Sequence, residues 1–119
     1  MYTFGFIGSG NMGGALAKAA RKKLEGSEIL LTNRTMAKAE ALAAELGCAV
    51  GSNADTAGGA KYIFLGVKPQ MMEDVLPLAE PWVTKSKTVI TIAAGKPCAY
   101  YEEVFGENVP VVRVMPNIA

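Results

Sequence analysis

The chain contains no histidine among its 119 residues. That absence removes the Ser-His-Asp triad, the Cys-His pair and every His-ligated metal site together. Cysteine is scarce as well: Cys48 and Cys98 stand far apart, with no CxxC neighbour for either. Two such residues build neither a disulfide framework nor a metal site, and they are expected to be buried free thiols in a reducing compartment. An excess of charge of one sign is also missing. Twelve Lys and Arg against eleven Asp and Glu leave a formal net charge of +1, so nothing here gathers nucleic acid or an acidic membrane surface. No apolar run approaches the roughly 18 residues of a membrane span. Met1-Tyr2-Thr3-Phe4-Gly5 has no basic region ahead of an apolar stretch, so no signal peptide is expected. The chain reads as a cytoplasmic, soluble domain. What is present is apolar residue: 50% of the chain is hydrophobic and 19% charged, which excludes a disordered tail and suffices for one core.

The hydrophobic pattern alternates between two periods. Phe4-Gly5-Phe6-Ile7 is a short apolar run that stops at a cluster of glycines. Met12, Ala15, Leu16 and Ala19 then fall at i, i+3, i+4 and i+7, predicting a helix with that face inward. Arg21-Lys22-Lys23 sits in its last turn, where solvent-facing cations suit the negative helix end, and Gly26 lies just past it. Residues 28–32 predict a strand, and Ala39, Leu42, Ala43 and Leu46 predict a second helix stopped by Gly47. Residues 48–50 suit an edge strand, and residues 51–59 a loop with one helical turn. Residues 62–67 are continuously apolar, as a strand covered on both faces must be. Met71, Val75, Leu78 and Ala79 suggest a helix that Pro77 should kink or split. Residues 88–92 and 111–115 read as strands, with a brief helix over 100–105 between them. This alternation implies an α/β fold of one domain, residues 1–119. A Rossmann-type, doubly wound parallel sheet of about six strands, in the order 3-2-1-4-5-6 with helices on both faces, satisfies it.

Gly8-Ser9-Gly10-Asn11-Met12-Gly13 matches GxGxxG, ends a strand and opens a helix. Gly8 permits the tight turn, Gly10 lets the backbone approach a pyrophosphate in a turn expected to need positive φ, and Gly13 lets helix and strand pack closely. Free N–H groups and the positive helix end then face two phosphates. A site selective for NAD places a carboxylate about 20 residues after the glycines. Here Asn33 stands at that position, followed by Arg34 and Thr35. Nothing repels a ribose 2′-phosphate, Arg34 offers a planar cation, and Thr35 can cap the next helix while donating to phosphate. The pattern points to NADP. Val67-Lys68-Pro69-Gln70, Ala93-Ala94-Gly95 and Met115-Pro116-Asn117 each lie just past the carboxyl end of a predicted strand, the edge where this fold binds ligands.

Taken in order, Gly5 to Gly13, Asn33-Arg34-Thr35, Val67-Lys68-Pro69-Gln70, Ala93-Ala94-Gly95 and Arg113-Val114-Met115-Pro116-Asn117 resemble pyrroline-5-carboxylate reductase, with the likeness running along all 119 residues. The resemblance implies NADPH-dependent reduction of the cyclic imine pyrroline-5-carboxylate to L-proline, the last step of proline synthesis. It implies cofactor contacts at Gly8, Ser9, Gly10, Asn11, Met12, Asn33, Arg34, Thr35, Asn53, Val67, Lys68, Ala93, Ala94 and Gly95. Met115 and Asn117 would approach the nicotinamide end. It assigns no catalytic residue and no metal to this stretch. The family continues from Met-Pro-Asn into Thr-Pro, whereas Ile118 and Ala119 follow here. The family also carries a second, helical domain that builds the substrate pocket and an intertwined dimer. The chain is therefore expected to be the cofactor half of a reductase, with a homo-oligomer only for a full-length chain.

Two other classes share parts of this pattern. Members of the 3-hydroxyacid dehydrogenase group show a glycine motif followed by Asn-Arg-Thr, but resemble this chain only through Leu46. Non-catalytic nucleotide-sensing modules are of similar length, yet more often bind NAD and favour an acidic residue at position 33, which is Asn.

Overall fold

The computed structural model of the protein describes residues 2–92 and 97–114. Strands β1 (Tyr2–Ile7), β2 (Ile29–Thr32), β3 (Ala49–Val50), β4 (Ala60–Leu65), β5 (Thr88–Thr91) and β6 (Val111–Arg113) alternate with helices α1 (Asn11–Arg21), α2 (Met36–Leu46), α3 (Asn53–Gly59), α4 (Met72–Ala79) and α5 (Cys98–Phe105). All five strand pairs are parallel, and the sheet order is β3-β2-β1-β4-β5-β6. This is the doubly wound order that the alternation predicts.

Because successive strand residues point to opposite faces, Phe6 and Ile7 enter different cores. Phe6, Ile29 and Leu31 pack with Ala17 of α1 and Ala43 of α2 on one face. Ile7, Ile63, Leu65 and Val89 pack with Ala57 of α3, Met72 and Leu76 of α4, and Tyr101 and Phe105 of α5 on the other. Each fully buried Ile, Leu or Val side chain contributes about 1.5–3 kcal/mol. Among the described residues no helix is long and apolar enough to cross a membrane.

Several local expectations need correction. In α1 the buried side is Gly13, Leu16, Ala17 and Ala20, while Ala19 is exposed. The inward face is rotated because Gly13, not Met12, lies against Gly8 and Gly66 in the loops after β1 and β4. In α4 the buried residues are Met72, Leu76 and Ala79, and Leu78 stands 56% exposed. Pro77 does not split that helix, which runs unbroken from Met72 to Ala79 with the proline on its exposed side, and a 3-10 turn over Glu80–Trp82 follows. The expected loop at 51–59 contains the full helix α3, closed by a reciprocal cap. Asp55 N–H donates to Ser52 Oγ at 3.0 Å, and Ser52 N–H donates to Asp55 Oδ2 at 3.1 Å. Arg21 does not simply face solvent: its Nε donates to Leu46 O at 2.8 Å and its Nη1 to Leu24 O at 3.1 Å, tying α1 to the end of α2. Cys48 and Cys98 are free but only half-buried, and burial pushes the Cys48 thiol up while Arg21 pulls it partly back.

Candidate functional site

Three strands end on the same edge of the sheet, and the loops that follow them enclose one cleft. The loop after β1 turns at Gly8, whose φ of +94° suits glycine alone. A Cβ on Gly8 would also fall 2.8 Å from the backbone of Gly66 and Val67. A Cβ on Gly66 would in turn fall 2.7 Å from Gly8 O, and the Gly66 N–H donates to Ile7 O at 2.7 Å. The loops after β1 and β4 thus touch backbone to backbone and form the floor. Gly13 extends that floor, since a Cβ there would run into Gly8 O.

Above this floor the chain leaves room. Gly10, the residue before α1, has nothing within 4 Å of where its Cβ would stand. Its φ is −77°, so the positive φ expected at Gly10 belongs to Gly8 instead. The first turn of α1 has no side-chain cap and no acidic residue, so its leading N–H groups have no side-chain acceptor from the N-cap. Ser9 is 8% exposed, and its Oγ is buried without a hydrogen-bond partner among the described residues. An unpartnered buried hydroxyl beside uncapped N–H groups and an open glycine is the donor set that a phosphate-bearing ligand satisfies.

The loop after β2 supplies the second wall. Asn33 Oδ1 accepts from Arg34 N–H at 2.9 Å, which turns the chain outward and leaves the exposed Arg34 guanidinium reaching Met71 Sδ at 3.5 Å. Thr35 is the N-cap residue of α2, but its hydroxyl makes no capping bond and is not committed to the helix. The third wall is Val67 and Lys68 with the 3-10 turn Pro69–Met71. The resulting cleft measures about 680 Å³, and Gly8, Gly10, Asn33, Arg34, Thr35, Asn53, Val67 and Lys68 all line it. A smaller hollow of about 330 Å³ between α1 and α2 takes in Ser9 and again Gly10.

Met12 is half-buried on α1 and lines neither space. The Asn11 side chain, Ala93, Ala94, Gly95, Met115 and Asn117 lie outside the described residues. Lining residues not foreseen from the sequence are Ile7, Gly66, Lys38, Met71, Asp74, Val75 and Leu78. Gln70, of the Val67-Lys68-Pro69-Gln70 motif, also lines the cleft, and Met71 follows that motif directly. Lys38, in the first turn of α2, had no signal of its own in the sequence.

A family model described as NADP oxidoreductase coenzyme F420-dependent matches residues 3–95. Pyrroline-5-carboxylate reductase of Methanosarcina acetivorans is 39% identical over 118 residues, which are 97% of this chain and 44% of that protein. The structure of a pyrroline-5-carboxylate reductase from Coxiella burnetii matches with a TM-score of 0.88 at 28% identity, over 98% of this chain and 44% of the other. That of Plasmodium falciparum pyrroline carboxylate reductase with NADP bound matches with a TM-score of 0.76 at 28% identity, over 98% and 42%. The chain spans less than half the length of each of these relatives. The likeness seen in the motifs thus extends along nearly all of its residues.

Proposed function

The chain belongs to the family described as NADP oxidoreductase coenzyme F420-dependent, and from that membership we propose that residues 1–119 are the cofactor-binding domain of a cytoplasmic, NADPH-dependent reductase of pyrroline-5-carboxylate. The observation that carries the proposal is the single cleft onto which the glycine loop, Asn33-Arg34-Thr35 and Val67-Lys68 converge. Support comes also from relatives named for that activity, one of them solved with NADP bound.

In this reading the first turn of α1 and Ser9 Oγ donate to the pyrophosphate, and Gly10 makes space for it. Arg34 and Thr35 meet the 2′-phosphate, with Asn33 Oδ1 holding the turn that aims them. Asn53, Val67 and Lys68 border the adenosine end, and Ala93 to Gly95 with Met115 and Asn117 would border the nicotinamide end. NADPH, when bound, supplies the hydride. The chain's own contribution is to bind and orient it, so that one face is presented to the C=N carbon of the substrate.

The test is calorimetric titration of Arg34→Ala with both dinucleotides. NADPH binding is expected to weaken by about 1.5–3 kcal/mol, the scale of charge-assisted hydrogen bonds, and NADH binding much less. Equal losses for the two would show that Arg34 does not read the phosphate, and an unaltered chain that binds neither would end the proposal.

A further inference from the structure

Two methionine sulfurs stand beside the loop that carries Arg34, in different surroundings. Met71 ends the 3-10 turn Pro69–Met71 and lines the cleft, and Arg34 Nη1 donates to its Sδ at 3.5 Å. Met36 opens α2, takes a hydrogen bond from Thr32 Oγ1 on its Sδ at 3.8 Å, and lines neither space. We propose that Met71 is an oxidation site: a peroxide converts it to the sulfoxide, and the new oxygen holds the Arg34 guanidinium against the 3-10 turn and away from the ribose 2′-phosphate. The proposal rests on the reading of the cleft as an NADPH site, in which Arg34 meets that phosphate.

The step is a transfer of one oxygen atom. A lone pair of the thioether sulfur attacks hydrogen peroxide, the O–O bond breaks and an S–O bond forms. The sulfur gives up two electrons, and the proton of the transferred hydroxyl ends on the departing hydroxide, which leaves as water. The sulfoxide is returned to the thioether by methionine sulfoxide reductases, with a thiol as reductant.

Position decides which methionine can act this way. Met72, the next residue, is 0% exposed and packs in the core beside Leu76. Met71 is only half-buried and borders a cleft of about 680 Å³, so a small oxidant reaches it from the open side.

The consequence follows from acceptor strength. Arg34 is exposed and makes no ion pair among the described residues, and Asp74, which also lines the cleft, does not engage it. A thioether is a weak acceptor, so the present contact yields to a phosphate. A sulfoxide oxygen is a polar acceptor, and toward a guanidinium it makes a charge-assisted hydrogen bond. Arg34 must then break that bond before it can reach a 2′-phosphate, whereas a dinucleotide with a bare 2′-hydroxyl asks nothing of it.

The experiment exposes the 119-residue chain to hydrogen peroxide, follows with a thiol wash, locates added oxygen by peptide mass spectrometry, and titrates NADP+ and NAD+ by calorimetry. Met71 is expected to gain one oxygen and Met72 none. NADP+ affinity should fall about fivefold and NAD+ affinity stay within about twofold, and a methionine sulfoxide reductase should restore the loss. Met71→Leu, close in volume but without sulfur, should keep its own NADP+ affinity through the treatment. Met36→Leu should lose as much as the unaltered chain. An undiminished loss in Met71→Leu assigns the effect to another group, Cys48 and Cys98 included, and overturns the inference. A Met71 that takes up no oxygen, an oxidised Met71 with unchanged NADP+ affinity, or equal losses for both dinucleotides overturns it as well, while the NADPH reading stands. An untreated, unaltered chain that binds neither dinucleotide overturns that reading, and the inference with it.

Discussion

At the scale of single residues, the candidate site depends on where side chains are absent. Gly8 and Gly10 sit two residues apart and do opposite things. Gly8 has no room for a Cβ and a φ that disfavours one, whereas a Cβ on Gly10 would have nothing within 4 Å. Replacing Gly8 would disturb the fold, so Gly10 is the informative position. Gly10→Val should leave the cooperative unfolding transition in place, because φ is −77° and nothing stands within 4 Å of the new Cβ. The same variant should abolish NADPH binding by filling the volume assigned to the pyrophosphate. A urea melt and a calorimetric titration on one preparation check both halves. Normal binding by a folded Gly10→Val chain would place the phosphates elsewhere.

At the scale of elements, each helix is fixed by what it must cover. The α5 helix is held on β5 by a buried hydrogen bond, in which Thr91 Oγ1 donates to the Tyr101 phenol at 2.8 Å. Burial pushes the Tyr101 phenol above its ordinary 10.0, and the Thr91 bond draws it partly back. Above pH ~10 the unfolded chain gives up this proton while the folded chain keeps it. The stability that Tyr101 contributes is therefore whole below that pH and is lost as pH rises toward the folded value. Tyr101→Phe should cost about 1 kcal/mol near neutrality for the lost hydrogen bond. The gap between the two proteins should then narrow in melts above pH ~10. A gap of constant size across that range would mean that this phenol does not titrate with folding.

At the scale of the whole molecule, the cleft is a product of strand order. Because β2, β1 and β4 are adjacent and parallel, their following loops emerge side by side, and residues 8, 34 and 67 meet although they are distant in sequence. On the proposed reading the described walls hold only the dinucleotide, and the chain spans 44% of the length of the Methanosarcina relative. Orienting two reactants supplies roughly 7–11 kcal/mol of barrier lowering and needs walls on both sides of the reacting carbon. The isolated 119-residue chain is therefore expected to bind NADPH without oxidising it when pyrroline-5-carboxylate is added, as followed by the loss of NADPH absorbance. Turnover above the enzyme-free rate would mean that these residues already hold a complete site.

Much of this was legible in the linear chain. The alternation of periods dictated the sheet and its order, since parallel strands with right-handed crossovers leave few arrangements. The glycine spacing and the residue at position 33 carry the proposed class of cofactor, because a tight turn and an absent carboxylate are local chemistry. The Ser52–Asp55 cap was not read from the sequence, where Gly58 and Gly59 give that segment the composition of a loop. Other features required the tertiary structure. Which way α1 and α4 turned their faces was decided by the close contact of Gly13 with Gly8 and by the covering of β4 and β5. Periodicity sets the width of an apolar stripe but not its neighbour. The place of Lys38 in both the cleft and the smaller hollow, and the orphaned hydroxyl of Ser9, arise only when α1 and α2 pack side by side. Neither is a property of the spacing along the chain, because burial is decided by what comes to lie opposite.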